Sequence, residues 1–197
     1  MGMEAATNVV LELGARGLFR VRDLKRRRIS PNWMPFFEWR YGFVSHGRGV
    51  WSRRDFKPTR YELVQCRFPK SVFWGPSALW LLGHLEHEPS PLWLAIDNKA
   101  ATPKLDYPPL RLVRFSGAAL TEGVEEHVVD GVTVCVTGVA KTVTDCFKYR
   151  NKIGLDVALE ALREAWSAKR MTSDQIWHYA KIDRVANVMR PYLESLA

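Results

Sequence analysis

Apolar residues recur at helical spacing through residues 1–41 and at strand spacing directly after them. Val9, Val10 and Leu13 share one face of a helix over 5–13, which Gly14 and Gly17 bring to an end. Val21, Leu24 and Ile29 predict a short second helix through 23–27 whose outer side carries Lys25, Arg26, Arg27 and Arg28. Ser30 before Pro31 is a helix start, because the hydroxyl accepts from free N–H groups and proline tolerates the first helical position. In the helix that follows, Met34, Phe37 and Tyr41 point inward at i, i+3 and i+7, and Gly42 is placed to cap it. Pro35 conflicts with a start at Pro31, since it removes a backbone donor inside the helix; a start at Asn32 relieves the conflict. Residues 43–45 and 50–52 then form two extended runs around His46-Gly47-Arg48-Gly49, a small β-hairpin.

The remainder mixes both periods. Residues 54–75 read as a transition marked by Pro58 and Pro69, with a short strand over 61–66 and a domain boundary at about 55–60. A compact apolar helix over 76–83 precedes a buried strand over 92–96, a proline-marked loop over 102–109 and a strand over 110–115. Two further strands, 125–129 and 132–136, flank Asp130-Gly131, a hairpin signal. From residue 138 the pattern is helical, with Leu155, Leu159, Leu162 and Trp166 along one stripe, then Thr172 and Gln175 as a capping box ahead of Ile176, Tyr179 and Ala180. Val185, Val188, Met189, Tyr192 and Leu196 mark a last helix that Pro191 should kink or interrupt. The expected fold is α+β: a winged helix-turn-helix domain over 1–55, then a mixed α/β domain over 56–197 that ends in a helical region.

Charge sharpens this division. The chain of 197 residues has a formal net charge of +8, and residues 1–60 hold 13 basic and 5 acidic side chains, while residues 61–197 hold 16 of each. The whole surplus therefore lies with the three short helices and the hairpin. A surplus confined in this way is the footprint of a polyanion partner, and in a winged helix the third helix enters the DNA major groove while the wing reaches the backbone or an adjacent groove. The candidate DNA contacts are Arg26, Arg27 and Arg28 before the third helix, Ser30, Asn32, Trp33, Phe36 and Arg40 on it, and His46, Arg48, Arg53 and Arg54 on the wing. Asn32 suits adenine and an arginine suits guanine, whereas most of the arginines would neutralise phosphates. Trp33 and Phe36 have a second reading, as core packing.

The chain resembles the AbiEi family on two stretches. The first is Leu24, Ile29-Ser30, Met34, Phe37 and Gly47-Arg48-Gly49-Val50-Trp51, where Trp51 stands for the family's usual tyrosine. The second comprises Ser77-Ala78-Leu79, then Ala140-Lys141-Thr142-Val143 with Asp145-Cys146-Phe147-Lys148-Tyr149-Arg150-Asn151-Lys152, then Gly154-Leu155-Asp156-Val157-Ala158-Leu159-Glu160-Ala161-Leu162-Arg163 and Arg190-Pro191-Tyr192-Leu193-Glu194. Departures are Leu81-Leu82-Gly83-His84 and Pro35. The resemblance implies a repressor of its own operon, the antitoxin of a type IV toxin-antitoxin system used in abortive infection and phage defence. Its C-terminal domain would counter a nucleotidyltransferase-like toxin. Solitary regulators without a toxin resemble the same family.

Lys141, Asp145, Lys148, Tyr149, Arg150 and Lys152 have two readings: a surface for an acidic patch or phosphate on that partner, or a polar cluster that anchors the helix after it. Enzymatic signals are weak. His84-x-x-His87 lacks a third ligand and reads as an exposed loop edge, and Asp97-x-Lys99 resembles the end of a metal-dependent nuclease motif without a partner carboxylate. No catalytic residues, metal or cofactor are expected. The partners expected are double-stranded operator DNA at an inverted repeat and the toxin, with the chain a monomer or homodimer. Cys66, Cys135 and Cys146 show no C-x-x-C spacing, and no apolar stretch is long enough for a membrane span, so the expected location is cytoplasmic.

Overall fold

The computed structural model describes residues 2–129 and 132–196. Two compact units account for them: residues 1–69 with 129–132, and residues 70–128 with 133–197. The division falls after Pro69, later than the boundary expected near 55. Residues 60–67 are the reason. They form a helix rather than the expected strand, and its end lies beside the wing of the first unit, where Arg48 stands over the Phe68 ring at 5.7 Å. Thr59 and Glu62 start that helix as a capping box: Thr59 N donates to Glu62 Oε2 at 2.7 Å and Glu62 N donates to Thr59 Oγ1 at 3.2 Å.

The first unit is a winged helix. It comprises α1 (Met3–Ala15), β1 (Phe19–Arg20), α2 (Val21–Arg26), a 3₁₀ turn at Pro31–Trp33, α3 (Met34–Tyr41), β2 (Phe43–Ser45), β3 (Val50–Arg53) and α4 (Arg60–Arg67). The strand order is β1-β3-β2, all antiparallel, with Phe19 opposite Trp51 and Val44 opposite Ser52. Its core gathers Val10, Leu13, Phe19, Leu24, Ile29, Met34, Phe37 and Phe43. The 3₁₀ turn accommodates both prolines, because α3 proper starts at Met34 and leaves Pro35 in its first turn, where no backbone donor is required. Gly42 closes α3 in the left-handed conformation, with φ of 67°.

The second unit carries a five-stranded mixed sheet, in the order β6-β5-β4-β8-β7, and a helical layer. Its elements are β4 (Val72–Phe73), α5 (Gly75–Leu81), β5 (Leu92–Asp97), β6 (Leu110–Phe115), α6 (Ala118–Thr121), β7 (Val124–Val129), β8 (Val132–Thr137), α7 (Val139–Lys148), α8 (Arg150–Ile153), α9 (Leu155–Ser167), α10 (Ser173–Ile182) and α11 (Ala186–Glu194). The expected turn Asp130-Gly131 lies outside the described residues. Helix α7 packs on α5, α9 and α10, and every residue from Ala140 to Phe147 is buried. The buried face of α9 is Ala158, Ala161, Leu162 and Ala165; of the expected stripe, Leu162 is in the core, Leu159 and Trp166 pack against it half-buried, and Leu155 is exposed. Alanines let two helix axes approach closely, so the small side chains mark this contact as well as the large ones. Helix α11 runs through Pro191 without interruption, since Met189 and Leu193 are held in the core on either side of the missing donor.

One close approach sets the first unit's packing. Gly14 lies within α1, and a Cβ there would sit 2.5 Å from Cε1 of Phe43, a ring with no exposed surface. Glycine-to-alanine exchange inside a helix ordinarily gains about 1 kcal/mol. Here Gly14→Ala is expected to cost about 1–3 kcal/mol, because the buried ring has nowhere to move. A fall in the urea midpoint relative to wild type checks the sign; a rise would show that Phe43 can relax.

Candidate nucleic-acid interface

The turn between α2 and α3 begins with a helix stop built on an unusual residue. Arg28 N donates to the Lys25 carbonyl at 3.0 Å and Ile29 N to the Leu24 carbonyl at 2.9 Å, while Arg28 itself has φ of 60°. This is the Schellman arrangement, in which the left-handed position normally belongs to glycine. Leu24 and Ile29, both buried, make the accompanying apolar contact, and the guanidinium of Arg28 is left on the outside. Ser30 Oγ then accepts from Asn32 N at 3.3 Å and starts the 3₁₀ turn.

The candidate contacts separate into exposed and retained groups. Arg26, Arg27, Arg28, Ser30, Asn32, Arg40, Arg48, Arg53 and Arg54 are exposed, and among the described residues Arg28, Arg40 and Arg54 have no carboxylate partner. Arg26 lies 3.9 Å from Asp23, Arg27 reaches Glu12 at 3.4 Å, and Arg53 pairs with Asp55 at 3.2 Å. Trp33 and Phe36 are half-buried and pack against the core, which places them with the hydrophobic cluster and leaves them only partly available. His46 is retained as well. Its Nε2 lies 2.8 Å from Ser52 Oγ, whose hydrogen goes to the Arg53 carbonyl, so the imidazole donates. Burial, and then the Arg67 charge, hold the His46 pKa below the ordinary imidazole value, so it brings no positive charge to the wing at neutral pH.

At the wing tip, Val50 N donates to the Gly47 carbonyl at 3.0 Å and the two central residues, Arg48 and Gly49, have φ of 49° and 71°. Positive φ at both is the hairpin turn whose twist matches the strands. Gly49 is also pressed against Val21, where a Cβ would meet Cγ2 at 3.0 Å. Arg48 is exposed but leans on Phe68, so α4 supports the tip. One exposed aromatic escaped the sequence reading: Trp39 on α3 is 79% exposed. Its spacing of i+7 from Asn32 and i+4 from Pro35 put it on the outward stripe, opposite Met34, Phe37 and Tyr41.

In the second unit the expected partner-binding block is largely interior. Lys141 and Asp145 have no exposed surface, and their pairing inside α7 is joined by Asp183, whose Oδ2 accepts from Lys141 Nζ and Thr144 Oγ1 at 3.1 Å each and whose Oδ1 accepts from Lys148 Nζ at 3.1 Å. Both lysine ammonium groups stand 5.0 Å from the Phe115 ring centroid. Burial raises the Asp145 pKa above the usual carboxylate range, with Lys141 opposing the shift and Asp183 adding to it. Tyr149 packs 4.9 Å from Trp74, and burial pushes its pKa up to about 12. Arg150 donates to the Phe147 carbonyl at 2.9 Å. Lys141 and Asp145 are thus inaccessible to a partner, Tyr149 serves packing, and Lys152 alone of the six is fully on the surface.

The weak enzymatic signals resolve in the same way. His84 is buried and not an exposed loop edge: its Nδ1 lies 3.0 Å from Glu164 Oε1. Since α5 ends at Leu81, His84 and His87 share no helical face. Asp97 Oδ1 accepts from Lys99 N at 2.8 Å, and Arg114 donates to the carbonyls of Asp97, Asn98 and Ala100, so that stretch is a tied loop. Among the described residues no three histidine, cysteine or carboxylate side chains converge as metal ligands, and no helix is long and apolar enough to cross a membrane. None of the three cysteines forms a disulfide among the described residues, and burial raises the Cys146 thiol pKa far above its ordinary value. Removing the ammonium from the buried cluster leaves Asp145 uncompensated, while Asp183 keeps Lys148 and Thr144, so Lys141→Met is expected to cost about 3–5 kcal/mol. Lys148→Met, whose side chain is 28% exposed, should cost about 1 kcal/mol. Urea unfolding of the two variants checks the contrast, and equal losses would contradict it.

No family model matches the chain, and no curated protein sequence does. Its backbone is similar to the crystal structure of the RV2827C protein from Mycobacterium tuberculosis, with a TM-score of 0.63, 16% sequence identity and coverage of 89% of this chain and 71% of that one. At that identity the likeness concerns the fold: an α+β chain with a winged helix ahead of a mixed sheet and a helical C-terminal region.

Proposed function

We propose that the chain is a DNA-binding transcription regulator whose first unit docks α3 in the major groove. The observation that carries this reading is the exposed arginine set around α3. Among the described residues Arg28 and Arg40, before and near the end of that helix, have no carboxylate partner, Asn32 is exposed between them, and Arg54 follows the wing. Residues 61–69 add one acid, Glu62, and one base, Arg67, so the first 69 residues keep the full surplus of +8. Phosphate contact from such a surface sets position, and Asn32 supplies a base-reading amide.

The resemblance to the AbiEi family extends the proposal. On it, the chain represses its own operon as the antitoxin of a type IV system, acts in the cytoplasm and counters a nucleotidyltransferase-like toxin, with no catalysis of its own. The surface offered to such a partner is not the buried Lys141–Asp145 cluster. Co-expression of the full chain with the toxin gene beside it tests this part, and growth arrest that the chain fails to relieve would leave a regulator without antitoxin activity.

Arg28 separates function from folding. Glycine suits its left-handed backbone better than arginine does. Arg28→Gly is therefore expected to leave stability equal or up to about 1 kcal/mol higher, while duplex DNA binding weakens and the slope of log affinity against log salt falls by about 1. Fluorescence anisotropy with a labelled duplex across a salt series, paired with urea unfolding, measures both. Unchanged affinity and slope would remove Arg28 from the interface.

A further inference from the structure

We infer that Trp39 reads thymine through its 5-methyl group, a refinement that rests on the DNA-binding reading above. Three aromatic rings on α3 form a graded series. Phe37 is fully buried, Phe36 is half-buried with its ring 5.5 Å from that of Phe37, and the Trp39 ring lies 6.4 Å from that of Phe36 at 79% exposure. The indole thus rests on an aromatic shelf that grows out of the core, and does not fold back into it. Tryptophan is seldom this exposed, and its contact area is large.

The surroundings say what covers it. Arg40, exposed, follows Trp39 on α3, and the first 69 residues carry a net charge of +8, so a second copy of this unit would set like charges against each other, whereas a nucleic acid meets them with opposite charge. Glu38, exposed beside Trp39, argues further. Trp39 points away from the Met34, Phe37 and Tyr41 face with Glu38 on one flank and Arg40 on the other; a carboxylate repels phosphates, so the Glu38 flank turns to base edges and the Arg40 flank to the backbone. Major-groove edges offer one apolar group, the thymine methyl, and one strong donor for a carboxylate, the cytosine amino group. An indole beside a glutamate on α3 therefore fits a thymine next to a cytosine.

The test uses the full chain and a duplex enriched by it from a random pool, with each thymine then replaced singly by deoxyuridine, which removes only the methyl. Wild type should lose about fourfold in affinity at one or two positions, the value of burying one methyl-sized group. Trp39→Ala should bind the thymine and deoxyuridine duplexes equally, and Trp39→Phe should keep the discrimination, because the contact needs a ring and not the indole N–H. Equal wild-type affinity for every deoxyuridine duplex, with selective binding intact, would overturn the role of Trp39 and leave the DNA-binding reading standing. Failure to enrich any duplex over random DNA would overturn both. Loss of self-association in Trp39→Ala, with thymine discrimination unchanged, would overturn it in favour of a second copy.

Discussion

A charge on the buried length of a helix must bring its partner inside, and α7 carries two there, Lys141 and Asp145, ahead of the half-buried Lys148. Burying an isolated ammonium or carboxylate costs several kcal/mol. Lys141 and Asp145, one turn apart, therefore meet each other, and Asp183 at the end of α10 supplies the remaining acceptors for Lys141, Thr144 and Lys148. The packing of the second unit follows from this. Helix α10 must reach α7 for Asp183 to arrive, and Phe115 on β6 lays its ring against both ammonium groups. Tyr149, stacked on Trp74 and bonded to the Arg114 carbonyl at 3.3 Å, then ties the end of α7 to the sheet. The cluster specifies where the helices sit; replacing it with apolar side chains of equal volume would remove that registration.

This also explains which features could be read along the chain. Periodicity locates α7, but the buried length of a helix has no polar stripe to show, so its charged residues look like surface ones. In α9 the large side chains Leu159, Leu162 and Trp166 mark the packed side, but Ala158, Ala161 and Ala165, which complete its buried face, are too small to stand out in a hydrophobic pattern. The capping box Thr59–Glu62 was there to be recognised as readily as Thr172–Gln175, and it would have turned the expected strand at 61–66 into a helix. Proline carried less weight than its reputation: Pro35 sits in a first turn and Pro191 in a helix anchored on both sides.

The first unit was more legible, because its helices are short, amphipathic and separated by residues with one conformational meaning. Ser30-Pro31, Gly42 and the Gly47-Arg48-Gly49 turn each specify a boundary that the backbone adopts. Strand β1 was not legible, since two residues give no period and its pairing with β3 depends on a contact formed at a distance. Among the candidate contacts, side-chain chemistry alone grouped His46 with the arginines. The fold separates them by tying the imidazole to Ser52 and suppressing its charge.

A basic residue in the left-handed position after a helix is not by itself a sign of DNA contact in this chain. Lys169 after α9 and Arg184 after α10 repeat the arrangement of Arg28, with the same pair of backbone bonds and φ of 52° and 58°. At all three the positive side chain meets the negative end of a helix, a favourable interaction of about 0.3–1 kcal/mol that offsets part of the backbone strain. The recurrence shows a local solution to ending a helix without glycine. What distinguishes Arg28 is its place: it stands at the turn that delivers α3, within the unit that holds +7 of the net +8, whereas Lys169 and Arg184 belong to a unit with a net charge of +1. Position relative to α3, and not backbone geometry, is therefore the argument for assigning Arg28 to the interface.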